Sequence, residues 1–295
     1  VSVATGGNDT IHGHAGGDTI FGGVGSDELR GDADTVVGAV DGDDRIVGDN
    51  GELIYDANGV TIAELRSFED TLGDVDTITG NAGADWIIGG YGGDLIHGNN
   101  EGDDETALDG ADVVLGDNGQ ILLSAGAFSA IRSFDTAEPL FATDDTITGD
   151  AGGDILVGGL GADLIRGDHT LGTDSAEDGG DVILGDNGEL VWNTGGFDTI
   201  VRSFAFEDGA PGVERGGSDT ISGNSGDDLV IGGTAGDLVF GGTQNDTMLG
   251  DHGFAGIIGG AVQFLSIREN ASGADDTNGF GGDDTIFGDE GGDIL

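Results

Sequence analysis

The chain lacks cysteine and lysine, and it contains only two prolines among its 295 residues. Without cysteine there can be no disulfide framework and no thiol chemistry. With so little proline, the sequence is neither collagen nor a proline-rich linker. No apolar run is long enough to span a bilayer, and no signal peptide is recognisable. The fold therefore has to depend on something other than covalent cross-links or a membrane.

Glycine and acidic residues dominate the sequence instead. Glycine supplies 64 residues, and 58 acidic residues face only 8 basic ones, which gives a formal net charge of −50. A compact state with this charge repels itself unless it binds cations. Nucleic acid and anionic membrane surfaces are therefore poor partners, and we expect neither nucleic-acid binding nor membrane insertion. The composition leaves intrinsic disorder open as an alternative, but the periodic placement of the apolar residues favours a folded repeat.

Aspartate recurs with a period of nine residues, as Asp9, Asp18 and Asp27 show at the start of the chain. The unit around Asp103 is degenerate, because Glu105 replaces the apolar residue found two positions after the other aspartates, and we expect it to form a loop. The phased aspartates are Asp9, Asp18, Asp27, Asp44, Asp76, Asp85, Asp94, Asp103, Asp112, Asp145, Asp154, Asp163, Asp181, Asp219, Asp228, Asp237, Asp246, Asp284 and Asp293.

The residue two positions after each phased aspartate is aliphatic in every unit but one. This regularity predicts a six-residue glycine-rich turn followed by a three-residue strand whose middle side chain enters a core. Glycine suits the turn because it tolerates positive φ and lets the backbone approach a ligand closely. The predicted core residues are Ile11, Ile20, Leu29, Ile46, Ile78, Ile87, Ile96, Val114, Ile147, Leu156, Ile165, Ile183, Ile221, Val230, Val239, Met248, Ile286 and Leu295.

Complete nonapeptides read GGVGSDELR from Gly22, GGYGGDLIH from Gly89 and GGLGADLIR from Gly158. This unit resembles the RTX (repeats-in-toxin) family, whose consensus is G-G-x-G-x-D-x-U-x. The resemblance implies an all-β, right-handed parallel β-roll with many Ca²⁺ ions between successive turns, roughly one for each phased aspartate. It also implies that those aspartates bind calcium together with turn carbonyls. The carbonyls expected from this motif include those of Gly23, Gly25, Gly90, Gly92, Gly159 and Gly161.

A longer period overlies the nonapeptide. The tetrapeptide GDNG at Gly48, Gly116 and Gly185 and the related GDHG at Gly250 recur at intervals of 68, 69 and 65 residues. Each leads into an apolar stretch, a turn and a second apolar stretch, which predicts a β-hairpin insertion. The predicted roll segments are 1–51, 76–119, 145–188, 219–253 and 284–295. The predicted insertions are 52–75, 120–144, 189–218 and 254–283.

The predicted hairpins have a surface to cover. Several roll strands carry apolar residues on their outer side, such as Trp86 and Ile88, and an apolar face of this size needs a cover. The covering residues are predicted to be Leu53, Tyr55, Phe68, Trp192 and Phe204. Arginine recurs in three of the hairpins, and in so acidic a chain each should meet a carboxylate or carbonyl. An anchoring role for these arginines is favoured over a ligand contact. They are Arg66, Arg132 and Arg202.

Catalytic motifs are missing, so we expect a protein that is not an enzyme. The sequence contains no H-E-x-x-H, no G-x-S-x-G and no phosphate-binding P-loop. Paired carboxylates occur throughout and so carry no information about acid–base catalysis.

Three functional hypotheses remain. The long super-repeat favours a calcium-stiffened extracellular stalk, adhesin spacer or matrix fibre, in which this chain is an excerpt of a longer array or associates along its axis. The alternative is the export and folding domain of a type I-secreted enzyme or toxin, since the family resemblance implies that route to the cell exterior. Calcium storage or mineral association is a third possibility, and it predicts numerous weak sites.

Overall fold

The computed structural model describes residues 6–32, 42–68, 72–99, 110–133, 143–168, 178–203, 216–267 and 283–295. These residues form β-strands, numbered β1 to β25 in chain order, which assemble into three sheets. Over the described ranges there is no helix of the length and hydropathy needed to cross a membrane.

Two of the sheets are parallel and face each other, and the chain passes alternately from one to the other. The first roll sheet contains β1 (Thr10–His12), β3 (Glu28–Arg30), β7 (Thr77–Thr79), β9 (Leu95–His97), β13 (Thr146–Thr148), β15 (Leu164–Arg166), β19 (Thr220–Ser225), β21 (Leu238–Thr243) and β25 (Thr285–Phe287). The second roll sheet contains β2 (Thr19–Phe21), β4 (Arg45–Val47), β8 (Trp86–Gly90), β10 (Val113–Asp117), β14 (Ile155–Gly159), β16 (Val182–Asp186), β20 (Leu229–Gly233) and β22 (Thr247–Asp251). Successive strands of one sheet are in register, so Ile147 lies between Ile96 and Ile165. The result is an all-β parallel roll, as the sequence predicted.

The roll core lies between these two sheets and consists of the middle residue of each strand. Its buried members are Ile20, Leu29, Ile46, Ile78, Ile87, Ile96, Val114, Ile147, Leu156, Ile165, Ile183, Ile221, Val230, Val239 and Met248. Ile11 and Ile286 pack against this cluster in the outermost strands of the first roll sheet. The prediction for Leu295 is wrong, because this residue follows the last strand and is 66 % exposed. The nine-residue period thus becomes a continuous column of aliphatic side chains.

A third sheet, the hairpin sheet, is antiparallel and is built from the four insertions. Its strands are β5 (Gly51–Tyr55), β6 (Ile62–Ser67), β11 (Gly119–Ser124), β12 (Ala127–Ser133), β17 (Gly188–Thr194), β18 (Phe197–Ser203), β23 (Gly253–Ile258) and β24 (Ala261–Ile267). Each hairpin also pairs with the next one, through β6 with β11, β12 with β17 and β18 with β23. The insertions therefore form one sheet that runs along the roll. Their strands begin one residue before the predicted insertion boundaries, and those boundaries stay a prediction.

The hairpin sheet packs on the outer side of the second roll sheet and encloses a second core. Its buried members are Val47, Leu65, Ile88, Val113, Leu115, Ile121, Ile131, Val157, Leu184, Leu190, Val201, Leu229, Ile231, Leu249 and Ala255. The second roll sheet is therefore buried on both faces, which explains wholly apolar strand triplets such as WII in β8 and VIL in β16. The predicted cover on the outer face of the roll is confirmed.

Only part of the predicted covering set lies in this second core. Leu53 and Trp192 pack against it, whereas Tyr55 and Phe68 are 50 % and 41 % exposed, so their prediction is wrong. The register of β5 against β6 shifts between Ile54 and Tyr55, and this bulge carries the Tyr55 ring away from the core. Phe68 follows the last residue of β6, where the sheet has ended. Phe204 lies outside the described residues.

A buried serine joins each hairpin to the start of the next. The hydroxyl oxygen of Ser67 accepts a hydrogen bond from the Gly119 N–H at 3.0 Å. Ser133 does the same for Gly188 at 2.9 Å, and Ser203 for Gly253 at 3.0 Å. Each serine directly follows one of the recurrent arginines in the sequence, and that recurrence is the signal by which sequence reasoning could have found it.

The recurrent arginines lie on the outer face of the hairpin sheet and form ion pairs across strands. The Arg66 guanidinium pairs with Glu52 on the neighbouring strand of its own hairpin. Arg132 contacts Glu189 of the next hairpin at 2.7 Å, and Arg202 reaches the same carboxylate from the other side. The predicted carboxylate partners are confirmed, and their position supports the anchoring role.

Candidate metal-binding turns

The phased aspartates are stacked in two columns, one at each edge of the roll. The first ladder lies where the chain enters strands of the first roll sheet and contains Asp9, Asp27, Asp76, Asp94, Asp145, Asp163, Asp219, Asp237 and Asp284. The second ladder lies at the opposite edge and contains Asp18, Asp44, Asp85, Asp112, Asp154, Asp181, Asp228, Asp246 and Asp293. The remaining predicted ligand, Asp103, lies outside the described residues.

A single hydrogen-bond pattern holds both ladders. The main-chain N–H of each aspartate donates to Oδ1 of the aspartate one coil further on. Asp76 donates in this way to Asp94 at 2.8 Å, and Asp94 donates to Asp145 at 2.7 Å. Each carboxylate is thereby fixed by the backbone of the neighbouring coil. A turn placed in this way presents the second oxygen of its aspartate, Oδ2, in a constant orientation.

That second oxygen has no donor of its own in many rungs. Among the described residues, buried Oδ2 atoms without a hydrogen-bond partner belong to Asp18, Asp27, Asp76, Asp85, Asp94, Asp145, Asp163, Asp181, Asp219, Asp228, Asp237 and Asp246. A buried acceptor left without a partner costs about 1–3 kcal/mol, and a charged one costs more. Repeated along a column, these oxygens require a bound cation.

The ionisation of the ladders indicates the same requirement. Burial, with a smaller contribution from neighbouring carboxylates, raises the pKa of Asp76 to about 8. Burial and the charges of nearby aspartates raise the pKa of Asp219 to about 10 and hold that of Asp145 well above its usual range. Protein groups alone therefore do not stabilise the charged carboxylates at neutral pH. Calcium, a hard cation that prefers oxygen ligands, fits this donor set.

Carboxylates alone do not complete a calcium cage here. Within the described ranges, no group of three or more His, Asp or Glu side chains converges on a common point. Calcium takes 6–8 oxygen ligands as a rule, so main-chain carbonyls are expected to contribute to the shell. The turn glycines suit this, since a Cβ on Gly89 would lie only 2.5 Å from Oδ2 of Asp94.

The glycines predicted to offer carbonyls all lie in the turns beside the first ladder. Every one of them has a positive φ, between 100° at Gly23 and 146° at Gly92, so the sequence needs glycine there for conformation as well as for space. The Gly92 carbonyl also accepts a hydrogen bond from the Thr143 hydroxyl of the next coil. The individual ligand assignments to these carbonyls and to the ladder aspartates stay predictions.

Turns along the first ladder alternate between two forms. Intact turns, 22–27, 89–94, 158–163 and 232–237, run directly from one strand to the next. In the interrupted turns a hairpin is inserted after the second turn position. The first two residues of the turn therefore precede the hairpin, and the remaining residues follow it. The second position is glycine in the intact turns and aspartate in the interrupted ones, namely Asp49, Asp117, Asp186 and Asp251. Sequence reasoning noted the tetrapeptide but gave these aspartates no role.

The fold and the two carboxylate ladders define a calcium-binding β-roll. Consistent with this, a family model described as RTX calcium-binding nonapeptide repeat (4 copies) matches residues 3–38, 70–104, 141–168, 215–248 and 272–295, more than half of the chain. The chain belongs to this RTX repeat family, and its repeats bind Ca²⁺. No curated protein gives a significant match. Calcium held between turns would neutralise the facing carboxylates and join successive coils.

Proposed function

We propose that the chain is a calcium-stiffened structural segment, a stalk, adhesin spacer or fibre that folds outside the cell when calcium binds. The observation that carries this proposal is the hairpin sheet, in which all four insertions pair in succession along the roll. An insertion that served only its own repeat would not need to pair with the next. Pairing of this kind ties each super-repeat of roughly 68 residues to its neighbour.

Contacts at the boundaries between super-repeats support a mechanical role. At the first boundary, β6 pairs with β11 in the hairpin sheet, and β4 pairs with β8 in the second roll sheet. The Ser67–Gly119 hydrogen bond lies at the same boundary. Three hydrogen-bonded sheets and a row of ion pairs therefore follow one axis. Quasi-one-dimensional proteins of this type extend by adding neighbours.

The cation requirement supports assembly in a calcium-rich environment. Extracellular calcium modules have affinities of about 10⁻⁴–10⁻³ M, which keeps such sites empty in a cytoplasm and filled outside the cell. Proteins of the family are typically secreted. Export of the unfolded chain by type I secretion, followed by folding on calcium, completes the proposal. It includes no catalytic activity.

The alternative function is the export and folding domain of a secreted enzyme or toxin. Family membership supports this alternative, because proteins with RTX repeats are typically secreted. The two functions differ in what lies beside the roll and in whether rolls associate. A protease, lipase or toxin domain upstream in the full reading frame would support the alternative.

Imaging of the purified chain tests the structural proposal. In saturating calcium we expect straight particles that associate along their axis as concentration rises, with strands about 4.8 Å apart along that axis. Electron microscopy and small-angle scattering with and without chelator measure length and association together. Monomers of fixed length at every concentration, with no axial neighbours, would favour the export domain.

A further inference from the structure

The outer face of the hairpin sheet is more apolar than a solvated face requires. Side chains along a strand alternate between the two faces of its sheet. Leu190 and Val201 are almost fully buried in the second core, so their neighbours Val191 and Ile200 point outward. Both outward residues are aliphatic, although an antiparallel sheet with one solvated face normally places polar residues there.

The outward aliphatic residues form a continuous row across the strands. Leu122 lies opposite Ala130 within the second hairpin, and Ala130 lies opposite Val191 of the third. Val191 in turn lies opposite Ile200. Leu122, Val191 and Ile200 are partly exposed. This apolar row therefore crosses four strands of two hairpins without a polar side chain in it.

Two phenylalanines extend the apolar row onto the fourth hairpin. Ile200 pairs with Gly256, and a Cβ at Gly256 would lie only 2.4 Å from the Phe197 ring, so this ring lies over the glycine. The ring of Phe254 meets that of Phe197 edge to face, with 6.3 Å between the centroids. Phe254 occupies the strand position that Glu189 holds in the third hairpin. An aromatic residue thus replaces a charged one on this face.

The second roll sheet shows what such a face means in the same molecule. Its strands contain wholly apolar triplets such as WII in β8, and the hairpin sheet covers the face that would otherwise be exposed. The hairpin strands contain comparable triplets, ILL in β11 and LVW in β17. In the part of the chain that the structure describes there are three sheets, and none lies outside the hairpin sheet. The outer face therefore needs a cover of its own.

The charge distribution favours a second copy of this chain as that cover. The chain has a formal net charge of −50, so most of its surface repels another copy. The ion pairs beside the apolar row join Arg66, Arg132 and Arg202 to Glu52, Glu64 and Glu189. Three guanidinium groups balance three carboxylates there, and the arginine side chains are 40–41 % exposed. A second copy can approach this row without repulsion and offer its own carboxylates to these arginines.

The face is also large enough for a stable dimer. Its eight strands contain five to seven residues each. With strands about 4.8 Å apart and residues about 3.4 Å apart, the face measures roughly 40 by 20 Å. A stable interface buries about 800 Å² on each partner, which is the area that this face offers.

We propose that two copies of the chain pair side by side through the outer faces of their hairpin sheets. The same apolar row meets itself across a two-fold axis, and the two sheets lie about 10 Å apart. This lateral pairing goes beyond the axial association of the proposed function, because it uses a face that runs along the roll and leaves the ends of the roll free. Each hairpin sheet is then buried on both faces.

Val191→Lys in the full chain tests the lateral interface. In saturating calcium we expect the wild type to be a dimer with the length of one roll and a larger cross-section. The substitution places two ammonium groups, one from each copy, in the interface, and should weaken the dimer at least about a hundredfold. Sedimentation equilibrium measures the dissociation constant, and small-angle scattering measures length and cross-section. Leu164→Lys is the matched control, since Leu164 is also partly exposed but lies on the first roll sheet, and it should leave the dimer unchanged.

Other results would overturn the proposal in distinguishable ways. A wild type that is monomeric at every concentration, or a dimer that Val191→Lys leaves intact, contradicts the lateral interface. Particles of doubled length and single-roll cross-section would leave the axial association standing and remove only this inference. A monomer that Val191→Lys destabilises toward urea would show that another part of the same chain covers the apolar row.

A milder variant keeps the test valid if Val191→Lys does not fold. Should Val191→Lys lose its β signal in saturating calcium, Ile200→Thr replaces it, because threonine keeps the β-branched shape and removes apolar surface from both copies. We expect this change to weaken the dimer about tenfold. An unchanged dissociation constant for Ile200→Thr would count against the interface.

Discussion

The roll turns and the hairpin sheet are held together by opposite means. The turns bring like charges into buried columns and need a cation to remain compact, as the raised pKa of Asp76 and the unpartnered Oδ2 atoms show. The hairpin sheet places aliphatic residues against the second roll sheet and sets its few charges as opposite pairs on the outer face. The turns therefore stay compact only with a bound cation, whereas the hairpin sheet is stabilised by apolar burial. Their shared sheet couples the two.

Removing calcium should have the largest effect. With excess chelator we expect loss of most of the β signal in circular dichroism, since metal binding free energy in such sites is folding free energy. Magnesium, which is smaller and dehydrates reluctantly, should not restore it. A chain that keeps its full β signal in chelator would contradict the role given to the ladders.

Acidification should partly replace calcium in the turns. Burial raises the pKa of Asp76 and Asp228 from 3.8 to about 8, so the folded state binds protons more tightly than the unfolded state. This contribution to stability is fully present below 3.8 and disappears as pH rises through about 8. Calcium-free protein should therefore gain β signal between about pH 8 and pH 4. With calcium present, the same protons should release the ion, and a calcium electrode would register it.

A core substitution tests the hairpin side of the comparison. Ile131 is fully buried between the hairpin sheet and the second roll sheet, so Ile131→Ala should cost about 2–5 kcal/mol in calcium. Ile258 is 44 % exposed at a hairpin tip, and Ile258→Ala should cost little. Urea unfolding in saturating calcium measures both. Equal effects would mean that the second core contributes little to stability.

Ser133→Ala should have a smaller effect confined to one boundary. The change leaves the buried Gly188 N–H without its acceptor, at a cost of about 1–3 kcal/mol. Hydrogen exchange should rise at Gly188 and its neighbours, and distant super-repeats should keep their protection. The Ser129 hydroxyl donates a hydrogen bond to the Leu122 carbonyl within a single hairpin, so Ser129→Ala is the control. A uniform rise along the chain would argue against a local joint.

The smallest effect is expected at Arg132. Its side chain is 40 % exposed, and its buried partner Glu189 keeps a second guanidinium, that of Arg202, when Arg132 is removed. We therefore expect a cost of about 0.2–1 kcal/mol, the range of exposed ion pairs. Arg132→Met should therefore shift the urea midpoint only slightly, and high salt should reduce the difference further. A double-mutant cycle with Glu189→Gln isolates the pair. A coupling well above 1 kcal/mol would show that the row of ion pairs is a principal support.

The roll could be predicted from the sequence because its pattern is local and repeated. Eight residues on either side of Asp94 suffice to recognise its turn, its strand and its core residue, Ile96. The hairpin sheet could be predicted only in part, since pairing between Gln120 and Arg66 joins residues from different super-repeats. Turn patterns indicate each hairpin but contain no information on which hairpins pair.

The candidate site likewise has a part that could be predicted from the local repeat and a part that depends on contacts between distant residues. Position in the nonapeptide identified the ladder aspartates, because a phased acid in a glycine-rich turn has few structural explanations. Asp49 could not be recognised in this way, since its importance comes from Tyr91, a residue some forty positions away that the coil brings beside it. Bulges such as that at Tyr55 depend on the balance of packing at a hairpin end and leave no mark in the sequence.

The one-sided position of the hairpin sheet has a mechanical consequence. The hairpin sheet adds a third layer on one side of the roll. Bending toward the hairpins and bending away from them therefore stretch different layers. Bending that stretches the hairpin face has to open strand pairs such as β12 with β17 and the Ser133 joint together. Bending that stretches the first roll sheet has to open its own strand pairs, such as β13 with β15, and also to separate turns joined through calcium. Resistance to bending in that direction should therefore fall as calcium is removed.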